Sequence, residues 1–265
     1  YIGSFGTFHF CREIVNKYGL VTSKYMKEVN SNYSDRLTVE LLRDKIKIDA
    51  TSLLKIKFKH ERKKKKDKLM YEVYQFLAKI YGNPPIDFEF DGEKVTPLEF
   101  KNRYLGGALD DFVTVTSLEK NSLYGSYSFI PNIYLNNNER IVHISSNKIR
   151  DAIIKQLKDG VSVWFSAEES TTLDYNDNIL DYKLYDVYKL LNISNLSKKN
   201  KMILDIINYD HAMTITGALL EGNEVKQFKV DNSFGRHGQF KGQLIMTNSF
   251  LDNCVITMII NKKYL

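Results

Sequence analysis

Apolar residues in the first third of the chain recur at the spacing of a helix with one buried face. Phe8, Cys11, Ile14, Val15 and Tyr18 predict one helix, with Gly19 as its C-terminal stop. A second is expected from about Thr38, through Leu41, Leu42, Ile46 and Leu53. A third holds Leu69, Val73, Phe76, Leu77 and Ile80 and ends at Gly82-Asn83-Pro84-Pro85, the strongest punctuation in the chain. Beyond the double proline the period changes. Asp87 to Val95 reads as a hairpin around Asp91-Gly92. Thr96-Pro97-Leu98-Glu99-Phe100 has the capping residues of a short helix: Thr96 as N-cap, proline at the first position and Glu99 at the third. Ile149 to Leu157 predicts another helix, closed by Gly160, and Val161-Ser162-Val163-Trp164-Phe165 a buried strand. The last quarter is strand after strand: His211 to Leu220, Val225 to Val230, Gly242 to Met246 and Cys254 to Ile260. The expected class is α+β, with residues 1–85 a helical part and residues 86–265 a β-rich, largely antiparallel part.

Composition narrows the class little further. Of 265 residues, 43% are hydrophobic and 26% charged, which excludes collagen-like, coiled-coil and disordered chains. No run approaches the roughly 18 apolar residues of a membrane span, so no membrane partner is expected. Two cysteines, Cys11 and Cys254, form no disulfide framework and fit a reducing compartment. Cys11 sits at helical spacing among apolar neighbours and Cys254 in an apolar strand, so both read as packing residues. His9, His60, His143, His211 and His237 show no metal-ligand spacing, and no cofactor is expected. The opening Tyr1-Ile2-Gly3-Ser4-Phe5-Gly6 reads like the middle of a longer chain.

Charge leaves two readings open. The formal net charge is +6, and Lys59 to Lys68 is the densest basic cluster. It is either a solvated helix end or exposed loop, or a footprint for phosphate backbones through Lys63, Lys64, Lys65 and Lys66. No aromatic stacking set is interleaved with it.

The candidate chemistry lies in Tyr209-Asp210-His211-Ala212-Met213-Thr214-Ile215-Thr216-Gly217 and in Phe228-Lys229-Val230-Asp231-Asn232-Ser233-Phe234-Gly235. His211 opens one predicted strand and Asn232 closes another, 21 residues on, so a strand, turn and return strand can bring them to one sheet end. A thiol is a poor nucleophile until ionised, and an adjacent imidazole holds it as a thiolate–imidazolium pair. An amide oxygen on the other ring nitrogen fixes the ring's orientation and tautomer.

These two segments resemble the histidine and asparagine motifs of the bleomycin hydrolase and aminopeptidase C family, a papain-like group. The likeness extends to Lys17-Tyr18-Gly19-Leu20-Val21, to Thr96–Phe100 with Leu109-Asp110-Asp111-Phe112-Val113, and to Val163-Trp164-Phe165. It also takes in the loop from Leu180-Asp181 to Leu184-Tyr185-Asp186. The resemblance implies a papain-like fold with helical insertions. It implies a cytoplasmic homohexamer, with active sites facing an inner cavity, that removes residues from peptide N-termini by acyl-thioester chemistry. His211 would be the general base and acid, Asn232 its orienting partner, and Phe234, where the family has tryptophan, the shield of their bond.

The match departs from the family in one decisive place. The family's nucleophilic cysteine opens a helix with a Cys-Trp motif, whereas Cys11 is followed by Arg12-Glu13-Ile14. The nucleophile is therefore expected upstream of this sequence, and residues 1–265 alone are expected to be inactive. The family's C-terminal arm is likewise expected to be missing after Leu265. The alternative is a catalytically silent fragment or relative, acting as a structural or basic nucleic-acid-binding subunit.

Overall fold

The computed structural model describes residues 6–27, 35–118, 141–169, 172–174, 176–185, 187–194, 196–204, 206, 211–233, 235 and 239–265. The chain divides into two compact units, residues 1–107 and 108–265. The hairpin and short helix that the sequence reading grouped with the β-rich part lie in the first unit.

The first unit holds three long helices, α1 (Phe8–Tyr18), α2 (Asp35–Leu54) and α3 (Lys59–Tyr81), then β1 (Phe88–Phe90), β2 (Glu93–Val95) and α4 (Pro97–Tyr104). Local signals decide most of its boundaries. Phe90 pairs with Glu93 across Asp91-Gly92, and both turn residues have positive φ, +52° and +79°, as a twist-matched two-residue turn requires. At α4 the capping box forms in full: Thr96 Oγ1 accepts from Glu99 N at 3.2 Å and Glu99 Oε2 accepts from Thr96 N at 2.7 Å. Gly19 ends α1 at φ +84°, and a Cβ there would overlap the Pro97 backbone, so only glycine fits. Phe88–Phe100, Phe90–Phe100 and Phe90–Tyr104 pack edge-on with centroids 4.9–5.3 Å apart, and Phe100 and Tyr104 are tilted at 4.7 Å.

One expectation is overturned here and another is decided. Cys11 is exposed rather than packed. α1 buries His9, and a residue two positions along a helix points about 200° away. The lysine run is a solvated helix end, one of its expected forms, and not a loop: α3 starts at Lys59, and Lys63 to Lys66 are all exposed. Lysine is a good helix former, so a solvated basic face continues the helix that Leu69 to Ile80 anchor.

Among the described residues, the second unit is built on a nine-stranded sheet. Its strands are β3 (Phe112–Thr116), β4 (Ile141–His143), β5 (Val163–Ala167), β6 (Leu173–Asp174), β7 (Ile179–Leu180), β8 (His211–Glu221), β9 (Glu224–Asp231), β10 (Gln243–Thr247) and β11 (Val255–Asn261). Their order is β4-β3-β11-β5-β8-β9-β10-β7-β6, antiparallel except at β3/β4 and β7/β10. β11, between β3 and β5, is buried along both faces, which explains why it is apolar on both sides of Thr257. Helix α5 (Ser146–Lys158) packs on the sheet through Ile149, Ala152 and Ile153. Its buried Gln156 is satisfied by Ser162 O, at 2.9 Å, and by Asn261 N, at 2.8 Å. Short helices α6 (Val187–Leu190), α7 (Lys198–Ile203) and α8 (Asn248–Asn253) complete the unit. β5 begins two residues later than its apolar run suggests. Gly160 N and Val161 N still bond back to Leu157 O and Gln156 O, closing α5.

Candidate active site

The site grows from the middle of that sheet. β5 pairs with β8 so that Ala167 lies opposite His211, and β8 pairs with β9 so that Thr214 lies opposite Asp231. A register shift between Ile215 and Gly217 bulges β8. Asn232 follows directly on β9, and its backbone N–H donates to Gly242 O at 3.0 Å. Both side chains thus reach one sheet end, and His211 Nε2 lies 2.7 Å from Asn232 Oδ1.

The tautomer follows from hydrogen-bond accounting. Asn232 Oδ1 also accepts the backbone N–H of Ser233 at 2.7 Å. An atom that accepts from a backbone N–H is the amide oxygen, so the ring nitrogen facing it must donate. His211 therefore carries its proton on Nε2, and in the neutral ring Nδ1 is the basic nitrogen. That is the assignment an acid–base histidine needs when the amide partner sits behind it. The ring is largely enclosed, with its side chain 13% exposed.

Next to this pair lies a set of buried charges that the sequence reading did not single out. β5 runs straight into Glu168-Glu169, both buried. Glu168 Oε2 accepts from Lys201 Nζ at 2.9 Å, with the side chains 11% and 4% exposed. The Lys201 ammonium also lies 5.0 Å and 5.4 Å from the ring centroids of Tyr182 and Tyr188. Burial pulls the Lys201 ammonium down, but the Glu168 bond and charge, with Tyr188, more than offset it, so its pKa is raised. The only sequence signal was two consecutive carboxylates ending an apolar strand. Glu169 Oε2 lies 3.7 Å from His211 Nε2.

Cys254 is not placed as the nucleophile. Cys254 is wholly buried, and burial pushes its thiol up to about 12, so it stays protonated. Cys11 lies in the first unit and His211 in the second. Phe234, the expected shield, lies outside the described residues, as do His237 and Asp186. Lys63 to Lys66 belong to α3 in the first unit. Among the described residues no cluster of His, Cys, Asp or Glu could hold a metal ion, and no helix is long and apolar enough to cross a membrane.

Lys198 gives the site's surroundings a pH dependence. Its ammonium donates to Ser117 Oγ at 2.7 Å and Val255 O at 2.8 Å, yet burial lowers its pKa from 10.5 to about 8. Between those values the unfolded chain binds a proton that the folded chain does not, so stability from this group rises with pH, by up to about 1.4 kcal/mol per unit. Cys254, raised from 9.0 to about 12, acts in the opposite sense above 9.0. The expected outcome is a gain in stability between about pH 8 and 9 that disappears in Lys198→Met. Urea unfolding of parent and variant at several pH values checks it. An equal pH slope in both proteins would refute the assignment.

Comparisons with known proteins agree with this architecture. The profile of the Peptidase C1-like family matches residues 4–265. Aminopeptidase E of Lactobacillus helveticus is 33% identical over 98% of this chain and 63% of its own length. Aminopeptidase W of Lactobacillus delbrueckii subsp. lactis is 29% identical, with the same coverage. The crystal structure of PepW from a Lactobacillus rhamnosus strain superposes with a TM-score of 0.81 at 28% identity, covering 96% of this chain and 61% of that one. The chain thus spans less than two thirds of the length of these relatives. With the profile match running over all but the first three residues, the chain belongs to the Peptidase C1-like family and has its papain-type α+β fold.

Proposed function

We propose that the full-length protein is a cysteine-type aminopeptidase, with His211 and Asn232 supplied by this chain and the nucleophilic cysteine by sequence upstream of it. The observation that carries the reading is the 2.7 Å bond from His211 Nε2 to Asn232 Oδ1, which leaves Nδ1 as the basic edge of the ring. In the proposed cycle Nδ1 takes the proton of the cysteine thiol, and the thiolate attacks the carbonyl carbon of the first peptide bond. The tetrahedral intermediate collapses as His211 returns that proton to the leaving amine, and the thioester remains. His211 then takes a proton from water, whose oxygen attacks the thioester. The acid is released, and the thiol regains its proton.

Restriction to N-terminal residues rests on the family resemblance and on the names of the relatives, both aminopeptidases. A cytoplasmic homohexamer is part of the same proposal, as is Phe234 as shield of the His–Asn bond. The alternative, a silent relative or a nucleic-acid-binding subunit, has in its favour only the exposure of Lys63 to Lys66.

The test is hydrolysis of aminoacyl reporter substrates by the full-length protein, with and without prior thiol alkylation. Turnover that alkylation abolishes supports the reading. Turnover that alkylation leaves intact, or a full-length protein with no cysteine upstream, sinks it.

A further inference from the structure

The two carboxylates that follow β5 turn to different partners. Glu168 is closed on Lys201, so its charge is balanced locally. Glu169 faces His211: its Oε2 lies 3.7 Å from Nε2, and its side chain is 9% exposed. The backbone of Glu168 and Glu169 is held at several points. Thr172 donates its backbone N–H and its hydroxyl to Glu169 O, at 2.9 Å and 3.0 Å, and the same hydroxyl lies 3.1 Å from Glu168 O. Glu168 N donates to Cys254 O at 3.0 Å, and Ala167 is in register with His211. The carboxylate is therefore carried by a hydrogen-bonded backbone position at the end of β5 and lies beside the nitrogen that carries the ring's proton.

From this juxtaposition we propose that Glu169 is a positioning residue for His211. With Asn232 it holds the protonated edge of the ring in place. Its negative charge balances the positive charge that the ring carries once Nδ1 has taken the thiol proton. Asn232 supplies the shorter contact but only a dipole, whereas Glu169 supplies a full charge in an enclosed setting, where charge is poorly screened. The catalytic consequence rests on the cysteine-peptidase reading, while the effect on the ring does not.

The experiment separates these two layers. In the full-length protein, Glu169→Gln keeps the side chain's shape and removes its charge. It is expected to lower kcat by about ten-fold while KM stays within about two-fold. Imidazole nitrogen resonances of isotope-labelled histidine are read on the same samples and need no turnover. His211 signals are expected to move in Glu169→Gln. Those of His143, whose Nδ1 bonds to Leu118 O at 2.8 Å, are expected to stay and serve as an internal control. If the parent has no peptidase activity, the function reading fails while the resonances still report on Glu169. Unchanged His211 signals overturn the proposal. So does a rise in KM at constant kcat, which would make Glu169 a substrate contact instead. Should Glu169→Gln not fold, Glu169→Asp, which draws the charge back by one methylene, is expected to move the same His211 signals. Unmoved signals there overturn the proposal equally.

Discussion

Replacing His211 by alanine in the full-length protein is expected to lower kcat/KM on aminoacyl reporters by about a thousand-fold, with the unfolding midpoint little changed. The ring has two tasks in the proposed cycle: ionising the thiol and protonating the leaving amine. Alanine removes both, so the loss should fall mainly on kcat. The enclosed ring also donates to Asn232 at 2.7 Å, so the substitution leaves Asn232 Oδ1 with one donor instead of two. Ser233 N still satisfies that oxygen, which is why the stability cost should be small. Asn232→Ala should act in the same direction but less strongly, because it loosens the ring without removing it. Parallel loss of activity and of folded protein in His211→Ala would mean that the histidine is structural. Activity within a few-fold of the parent would remove it from the mechanism.

The second large effect is on stability. Lys201→Met should destabilise the protein by about 3 kcal/mol or more, because it leaves the buried Glu168 carboxylate without its counter-ion. For a domain of this size that corresponds to a fall in Tm of roughly 10 °C. The double substitution Lys201→Met/Glu168→Leu should recover most of the loss, since replacing both partners of a buried pair by apolar groups is often close to neutral. The two tyrosine rings beside Nζ, at 5.0 Å and 5.4 Å, can pack against the methionine thioether in place of the ammonium. Thermal unfolding of the three proteins decides the matter. A single variant as stable as the parent would show that Glu168 finds another partner or takes up a proton. A double variant as unstable as the single one would show that the loss came from packing.

Much of this molecule could be read from short stretches of sequence. α1 and its Gly19 stop, the Asp91-Gly92 hairpin, the capping box of Thr96 and Glu99, and strands β8 to β11 fall within a residue or two of where local patterns put them. Each depends on chain neighbours: a capping side chain, a turn that needs positive φ, or an alternation in burial. The His–Asn pair was legible for a related reason, since a strand, a turn and a return strand close the 21 residues between them.

Other features depended on partners far away in the chain. The parallel pairings β3/β4 and β7/β10 bring together segments that no hairpin connects, and two-residue strands such as β7 show no period. Helix α8, six residues long, is likewise too short to display one. The roles of Glu168 and Glu169 were not readable at all, because their partners Lys201 and His211 lie on α7 and β8, which only the folded sheet and its loops bring to the end of β5. The sequence by itself determined the α+β class and most element boundaries, because nearest-neighbour geometry governs both, and it brought His211 and Asn232 forward as a candidate pair through the resemblance of their motifs to a known family. The tertiary structure alone decided which nitrogen of His211 carries the proton, which carboxylate stands beside it and which lysines are buried. Burial and charge are set by contacts across the sheet, and a linear pattern does not encode them.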